Sequence, residues 1–294
     1  MTRSMNSPIF ILGPTGCGKS RLAVELAEQL GGAEIVSADA YQVYRQLPIL
    51  TAAPSAELLG RALHHLIGIM DVTENNDAAI HARRAFEAIA DIQARGRRPI
   101  VTGGSGLYVK FISHGISPAP PSDAALRAEL DLLPLEEAVA RLRELDPEGA
   151  AHTNLQNPRY VRRNLEIVIL GGKPLSHWQQ NWQRPAAGPG FLLTRDTSEL
   201  DARIVARAHG MVLQGVVEEV AALSSLSATA SKTLGISHVR AHLAGELSAQ
   251  ELEEALALTT RQYAKRQRTW LRRETWLRPI PMDASPLEAI LRSL

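Results

Sequence analysis

Cysteine is almost absent from the sequence. Cys17 is the only one among 294 residues, which excludes an intramolecular disulfide and a cysteine-rich metal cluster. Aromatic residues make up only 4%, so aliphatic side chains must fill the interior. No hydrophobic run approaches the roughly 18–20 residues of a membrane span, and the N-terminal segment has too few apolar residues for a signal peptide. These absences favour a cytoplasmic protein without membrane contact.

Short apolar runs alternate with helical patterns in the first part of the chain. Strands are predicted at residues 8–12, 33–38, 64–69 and 99–102. Between the last two lies a segment whose apolar residues have helical spacing and which ends near a glycine. Strands that alternate with helices predict an α/β fold with a parallel sheet and helices on both faces.

Two proline-rich joints interrupt this pattern, SPAPPS at residues 117–122 and RPAAGPG at residues 184–190. Every periodic segment between them is helical, whereas FLLT after the second joint predicts a strand that returns to the sheet. We therefore expect a core domain at residues 1–116 and 189–294, with a helical insertion domain at residues 117–188. Long helical patterns follow, without a coiled-coil seam, which favours a monomer.

A candidate phosphate-binding loop, GPTGCGKS, joins the first strand to a helical pattern. Its residues are Gly13, Pro14, Thr15, Gly16, Cys17, Gly18, Lys19 and Ser20. The glycines let backbone N–H groups turn towards phosphate oxygens, and the following helix adds the positive end of its dipole. Lys19 would reach a terminal phosphate and Ser20 would hold Mg²⁺. The pattern predicts a P-loop NTPase-like core.

Ordinary nucleotide hydrolysis fits the rest of the sequence less well. The fourth strand ends in PIVTGGSG, without the acidic residue that many P-loop NTPases carry, and no N-K-x-D run is present. The acidic candidate is Asp39, just after the second strand, at the edge where open α/β sheets bind ligands. Asp39 is equally well interpreted as the N-cap of a following helix.

The C-terminal part carries the strongest local positive charge in a chain whose net charge is only +1. Arg261, Lys265, Arg268 and Arg272 are spaced to share one face of a helix, which favours contacts with nucleic-acid phosphates. Tyr263 and Trp270 would share another face, which we interpret as packed against the core. A second basic segment, NPRYVRRN, is either a clamp for an RNA stem or a helix with an exposed basic side.

The histidines do not form a convincing metal site. His64 and His65 begin a predicted strand, so their side chains should point to opposite faces. His209, His238 and His242 lack neighbouring cysteine or carboxylate ligands at suitable spacing. Zinc is therefore not expected.

Six segments, in this order, resemble the bacterial tRNA dimethylallyltransferases. They are GPTGCGKS, SADAYQVYR, HHLIG, TGGSGLY, NLEIVILGGKPLS and RQYAKRQRTW, within residues 8–273. The last segment and the pattern D-x-x-Q-V-Y are the most specific. The resemblance implies transfer of a dimethylallyl group from dimethylallyl diphosphate to N6 of adenosine 37 in tRNA. It also implies Mg²⁺ as cofactor, the anticodon stem-loop as the part of tRNA that is bound, and no obligate protein partner.

The resemblance also implies roles for particular residues. Residues 13–20 would hold the diphosphate, Asp39 would be the general base, Ser105 would lie at the adenine site, and Lys232 would lie near the diphosphate. Together with the basic segments, it predicts tRNA contacts at Asp39, Ala40, Tyr41, Gln42, Ser105, Arg127, Arg159, Tyr160, Val161, Arg162, Arg163, Arg261, Lys265, Arg266 and Arg268.

Four positions depart from the family pattern. Ala40, Ala53, Gly68 and Tyr160 stand where that pattern has serine, lysine, aspartate and arginine. None of them is in the phosphate loop or at Asp39, so we expect affinity for tRNA, rather than the chemistry, to be affected.

Two other hypotheses about the function remain: a P-loop kinase in which Asp39 activates a small hydroxylated substrate, and an RNA-binding module that keeps the loop as structure. A small substrate would need neither the insertion nor the basic helix.

Overall fold

The computed structural model describes residues 6–182 and 184–294. It divides into two compact units. The first comprises residues up to Ser113 together with Ala186–Leu294, and the second is His114–Pro185. The predicted insertion, residues 117–188, therefore begins and ends three residues later than the second unit does.

The first unit contains one parallel sheet with the strand order β3-β2-β4-β1-β5-β6. The strands are β1 (Ile9–Leu12), β2 (Glu34–Ala38), β3 (His64–His65), β4 (Pro99–Gly103), β5 (Gly190–Thr194) and β6 (Leu277–Pro281). Every residue of β1 and β2 is buried, because the central strands of a parallel sheet are covered on both faces. The predicted α/β fold is confirmed.

The helices, in chain order, are α1 (Lys19–Gln29), α2 (Ala56–Arg61), α3 (Ala78–Ala94), α4 (Gly106–His114), α5 (Ala124–Leu132), α6 (Leu135–Leu145), α7 (Pro147–Ala151), α8 (Pro158–Gly171), α9 (Leu175–Gln180), α10 (Thr197–Leu213), α11 (Val216–Ala221), α12 (Ile236–Leu243), α13 (Ala249–Leu271) and α14 (Pro286–Leu291). Helices α5–α9 make up the second unit, where strands were not expected. Among the residues that the structure describes, no helix is long and apolar enough to cross a membrane.

The third predicted strand is shorter than expected. It was predicted to run to residue 69, but β3 ends at His65. Leu66 and Gly68 have φ angles of 63° and 59°, a left-handed backbone that cannot continue an extended strand. Gly68 donates its N–H to the carbonyl oxygen of Gln42 at 2.9 Å, so glycine suits this turn better than the aspartate of the family pattern.

The ends of three neighbouring strands meet closely at one edge of the sheet. A Cβ atom on Gly103 would lie 2.6 Å from the carbonyl oxygen of Ala38, and one on Gly104 would lie 2.4 Å from that of Gly13. No side chain fits in either place, which explains the glycine pair in TGGSG. The phosphate loop, the loop after β2 and the loop after β4 therefore share this edge.

The opposite edge of the sheet holds a buried carboxylate. Glu34, only 1% exposed, accepts hydrogen bonds from Arg95 Nη2 at 2.8 Å and Arg97 Nη1 at 3.0 Å, and its Oε2 lies 2.7 Å from His65 Nε2. The hydrogen bonds from Arg95 lower the pKa of Glu34 to about 2. Because the folded protein favours the ionised form, this cluster stabilises the fold at neutral pH.

We expect Glu34→Gln to destabilise the protein by about 2 kcal/mol at pH 7, because the buried carboxylate loses its charge and its ion pairs. The effect is not larger because the arginines that bind Glu34 are themselves partly exposed to solvent. The folded-state pKa lies below the ordinary value of 4.5, so the wild type should lose this advantage as the pH falls from about 4.5 towards 2. Urea unfolding at several pH values measures the difference between the two proteins. A difference that stays constant between pH 7 and pH 3 would contradict the assignment.

Candidate active site

A cavity of about 260 Å³ opens at the edge of the sheet where the three loops meet. All of its lining residues belong to the first unit. They come mainly from the phosphate loop, the loop after β2, the chain before α2, helix α10 and helix α13. The cavity thus brings together segments that lie far apart in the sequence.

The phosphate loop forms one wall of the cavity. Thr15, Gly16, Gly18, Lys19 and Ser20 line it. Gly16 and Gly18 have φ angles of 82° and 104°, which turn the backbone so that α1 can begin at Lys19. The first N–H groups of α1 have no carbonyl partner within the helix, so they are available to an anion.

The other three loop residues lie beneath this wall. Gly13, Pro14 and Cys17 are buried and do not line the cavity. The carbonyl oxygen of Pro14 accepts hydrogen bonds from Lys19 Nζ at 2.8 Å and Cys17 N at 3.3 Å. A Cβ atom on Gly13 would lie 2.8 Å from Cys17 Sγ, so only glycine lets the loop fold over its own cysteine. These residues shape the loop.

Helix α10 contributes two arginines that the sequence analysis did not identify. Arg203 Nε donates to the carbonyl oxygen of Gly16 at 2.7 Å, and Arg207 Nη1 donates to Thr15 Oγ1 at 3.0 Å. Both arginines line the cavity. Burial lowers the pKa of Arg207, and the positive charge of Arg203 lowers it further. The signal in the sequence was a pair of arginines four residues apart on a helix that follows a strand.

Asp39 lies in the same cavity as the phosphate loop. Its Oδ1 accepts hydrogen bonds from Tyr41 N at 2.9 Å and Gln42 N at 3.4 Å. It therefore caps a turn and not a helix, because the next helix, α2, begins only at Ala56. The interpretation of Asp39 as a helix N-cap is wrong, although the same kind of hydrogen bond is present.

The segment before α2 closes another side of the cavity, through Leu50, Thr51 and Ala52. Glu219 accepts hydrogen bonds from Ile49 N and Leu50 N, both at 2.8 Å, and burial raises the pKa of its carboxyl. On the cavity side, Gln42 Nε2 donates to the carbonyl oxygen of Ala52 at 3.2 Å. Gln42 thus ties the loop after β2 to this segment.

Two residues with predicted catalytic roles are not part of the cavity wall. Ser105 is buried, and its Oγ accepts a hydrogen bond from Ala40 N at 3.3 Å and lies 2.9 Å from Tyr263 Oη. Lys232 is exposed, and the neighbouring residues Thr233 and Leu234 line the cavity in its place.

Helix α13 presents different faces to the cavity and to solvent. Thr260, Tyr263 and Gln267 line the cavity. Predicted tRNA contacts at Arg261, Lys265 and Arg266 are exposed, and so is Arg272, whereas Arg268 donates to Thr197 Oγ1 at 3.0 Å. Trp270 packs against the backbone at Gly106, where a Cβ atom would lie 2.8 Å from its ring. Among these basic residues Arg266 contacts an aromatic side chain, since its Cζ lies 5.7 Å from the centroid of the Tyr263 ring.

The basic segment of the second unit lies at the beginning of α8. Arg159 and Tyr160 are exposed there. Val161 is fully buried in the core of the unit, which corrects its prediction as a tRNA contact. Arg162 donates to the carbonyl oxygen of Leu133 at 3.0 Å.

Two further predicted tRNA contacts, Arg127 and Arg163, bind a buried carboxylate. Glu166, 1% exposed, accepts Arg163 Nη1 at 2.7 Å and Arg127 Nη2 at 3.1 Å. Ser122 Oγ donates to the same carboxylate at 2.7 Å. These two arginines therefore stabilise the helical unit.

The oxygen ligands in the cavity suit magnesium bound through phosphate. Ser20 lines the cavity, and Mg²⁺ usually takes one or two protein oxygens, several waters and phosphate oxygens. Within residues 6–182 and 184–294, no group of three or more His, Cys, Asp or Glu side chains is placed to hold a metal. His65 instead binds Glu34, and His64 Nδ1 lies 2.8 Å from the carbonyl oxygen of Ala62.

The family model described as IPP transferase matches residues 42–274. The chain belongs to the IPP transferase family. A tRNA dimethylallyltransferase from Akkermansia muciniphila is 57% identical over 277 residues, which cover 94% of each chain. A tRNA dimethylallyltransferase from Geobacter sulfurreducens is 40% identical and covers 94% of this chain and 92% of its own.

Solved structures agree with this family membership. The tRNA isopentenylpyrophosphate transferase of Bacillus halodurans superposes with a TM-score of 0.70 at 30% identity, covering 98% of this chain and 94% of its own. A eukaryotic dimethylallyltransferase acting on tRNA superposes with a TM-score of 0.80 at 23% identity, covering 94% and 74%. The second likeness supports the fold alone. The IPP transferase chain described here therefore has the P-loop-type core that its phosphate loop predicted.

Proposed function

We propose that this IPP transferase chain transfers a dimethylallyl group from dimethylallyl diphosphate to N6 of adenosine 37 in tRNA, releasing diphosphate. The observation that carries the proposal is the shared cavity, in which Asp39 and the phosphate loop line one space of about 260 Å³. A base on one side and an anion cradle on the other are what a transfer between an amine and a diphosphate ester requires. Both bacterial relatives described above are named tRNA dimethylallyltransferase, which is the activity proposed here.

In this proposal the phosphate loop binds the leaving group. An adenine amine is a poor nucleophile because its lone pair is delocalised into the ring, so the allylic carbon must develop positive charge as its bond to oxygen breaks. Lys19, Arg203, Arg207 and the N–H groups that begin α1 then stabilise the negative charge that grows on the diphosphate. Mg²⁺ held by Ser20 would supply further positive charge to the phosphate oxygens.

On the acceptor side, Asp39 takes the proton that the amine loses as the carbon–nitrogen bond forms. Its Oδ1 is fixed by the N–H groups of Tyr41 and Gln42, which holds the carboxylate in one orientation. General-base catalysis is typically worth about 10²–10⁴ in rate. The target adenine lies in the anticodon loop, where a base is turned out of its stack at modest cost.

One assay tests the proposal against the alternatives. The protein is incubated with unmodified tRNA and either dimethylallyl diphosphate labelled in its carbon chain or ATP labelled in its terminal phosphate. Label from the prenyl donor on adenosine 37 supports the proposal. Label from ATP on a small hydroxylated acceptor supports a kinase, and binding of tRNA without any transfer supports an RNA-binding module; either result would overturn it.

We further propose that tRNA binds to the exposed basic residues Arg261, Lys265 and Arg266 of α13 and Arg272 at its C-cap, and to the exposed residues Arg159 and Tyr160 of the second unit. Arg261→Gln combined with Lys265→Gln should weaken tRNA binding at low salt. It should also lower the slope of log affinity against log salt by about one for each phosphate that is no longer neutralised. Filter binding from about 50 to 300 mM salt measures the slope, and Arg83→Gln, at an exposed position of α3, is the control. An unchanged slope in the double variant would contradict the assignment.

The same proposal places the protein in the cytoplasm, where tRNA is modified, and has it act as a monomer. The departures at Ala40 and Ala53 remove a hydroxyl and an ammonium near the cavity. Ala40 is 8% exposed, which leaves little space for a direct contact with tRNA by its side chain.

A further inference from the structure

Helix α13 carries two polar side chains on the face that packs into the molecule. Gln267 is 4% exposed, and Tyr263 is partly covered in the cavity wall. They are four residues apart, so they project from the same side of the helix. Polar groups in such positions need hydrogen-bond partners, and their partners here lie in two different loops of the candidate site.

Gln267 holds the phosphate loop. Its Oε1 accepts a hydrogen bond from the N–H of Thr15 at 2.8 Å. The side-chain amide is itself wedged against the loop after β4, since a Cβ atom on Gly104 would lie 2.5 Å from Gln267 Nε2. The amide therefore has little freedom to rotate. Thr15, held by Gln267 at its N–H and by Arg207 at its hydroxyl, is fixed at the start of the turn that surrounds the diphosphate.

Tyr263 holds the loop that carries the base. Its hydroxyl lies 2.9 Å from Ser105 Oγ, and Ser105 Oγ accepts the N–H of Ala40, the residue next to Asp39, at 3.3 Å. Burial raises the pKa of Tyr263 far above its ordinary value, so the hydroxyl keeps its proton and its hydrogen bond to Ser105 at any pH of interest. The chain Tyr263–Ser105–Ala40 thus ends at the backbone of the residue that follows the base.

We infer that α13 sets the separation between the prenyl diphosphate and the general base, with Gln267 positioning the donor loop and Tyr263, through Ser105, positioning Asp39. The inference rests on the proposed function. Neither residue reacts, so both are positioning residues. One continuous helix of 23 residues joins them, and a helix transmits position along its length more rigidly than a loop does.

The inference predicts different defects from the two side chains. Gln267→Leu leaves the Thr15 N–H without its partner and loosens the donor loop, so the dissociation constant for inorganic diphosphate with Mg²⁺ should rise about five- to tenfold. Tyr263→Phe keeps the ring but deletes the hydroxyl. The single-turnover rate of transfer at saturating donor should fall about five- to tenfold while the diphosphate dissociation constant stays within about twofold.

The experiment measures diphosphate binding by calorimetry and transfer by single-turnover kinetics in both variants and in the wild type. Gln262→Leu, at an exposed position of the same helix, controls for the change in Gln267. Tyr44→Phe controls for loss of a buried hydroxyl, since Tyr44 Oη lies 2.7 Å from Thr229 Oγ1 and outside the cavity. Thermal unfolding of all four variants reports whether each is folded. A double variant should show both defects, weaker binding of diphosphate and a slower single-turnover rate, because each substitution acts on a separate loop.

The split between binding and rate is the decisive result. If Gln267→Leu leaves diphosphate binding unchanged, or if Tyr263→Phe weakens binding as much as it slows transfer, the inference is wrong. Defects no larger than those of the two controls would also overturn it. Failure of the proposed function looks different: the wild type itself would then transfer no prenyl group to tRNA, whatever the variants do.

Discussion

Asp39→Ala is expected to slow transfer of the dimethylallyl group by about 10²–10⁴ in a single turnover, the usual worth of general-base catalysis. The adenine amine would then lose its proton to water in a confined cavity, without a fixed acceptor. Binding of dimethylallyl diphosphate should change by less than about threefold, because the phosphate loop and the arginines of α10 remain intact. Rapid-quench kinetics at saturating donor, together with calorimetry of donor binding, measure both quantities.

Asp39→Asn is the matched variant for this prediction. An asparagine side chain still accepts hydrogen bonds from Tyr41 N and Gln42 N through its oxygen, so the turn after β2 should be preserved. If Asp39 is the base, asparagine and alanine should slow the reaction to a similar extent. A nearly normal rate for Asp39→Asn would show that the residue only caps its turn. Equal losses of binding and rate in Asp39→Ala would count against its role as base as well.

Replacing both Arg203 and Arg207 by methionine is expected to raise the dissociation constant for dimethylallyl diphosphate by about 10²-fold or more. Hydrogen bonds to charged groups contribute about 1.5–3 kcal/mol each, and both guanidinium groups would face a dianionic or trianionic ligand in this cavity. Methionine keeps most of the length and apolar volume of the arginine stem, so packing on α10 should be retained. Calorimetric titration of the donor in the presence of Mg²⁺ measures the loss.

Arg240→Met is the control for this pair, because Arg240 is exposed on α12 and does not line the cavity. The single variants separate the two contributions, and Arg207→Met should have the larger effect since Arg207 is the more buried of the two. Donor affinity that survives the double substitution would mean that the arginines serve only to shape the phosphate loop through Gly16 and Thr15.

The central strands were predictable because the sequence pattern that indicates them lies within each strand. β1 and β4 are short apolar runs that end at or just before a glycine, and burial on both faces demands such runs. β6 was not predicted, because its sequence LRPIP contains two prolines. Proline cannot donate to a neighbouring strand, and it is tolerated here because β6 is the edge strand beside β5. Edge position is a property of the whole sheet and leaves no local pattern.

The residues of the candidate site likewise fall into two groups, those that lie in local sequence motifs and those that come from distant parts of the chain. Lys19, Ser20 and Asp39 lie in motifs next to strand ends, and the structure places all three in the cavity. Arg207 and Gln267 meet Thr15 from positions 192 and 252 residues away, so no spacing in the sequence links them. Lys232, for which the resemblance implies a place near the diphosphate, is exposed and does not line the cavity, whereas the neighbouring Thr233 does.

A crystal structure of the protein with an anticodon stem-loop and an unreactive thio analogue of dimethylallyl diphosphate tests the central claim most directly. The account predicts that the diphosphate lies in the loop formed by residues 13–20, with Arg203 and Arg207 on its oxygens. N6 of adenosine 37 should then lie within hydrogen-bond distance of the Asp39 carboxylate, about 2.6–3.2 Å, and face the allylic carbon. A complex in which the adenine binds away from Asp39, or in which the diphosphate lies outside the loop, would contradict it.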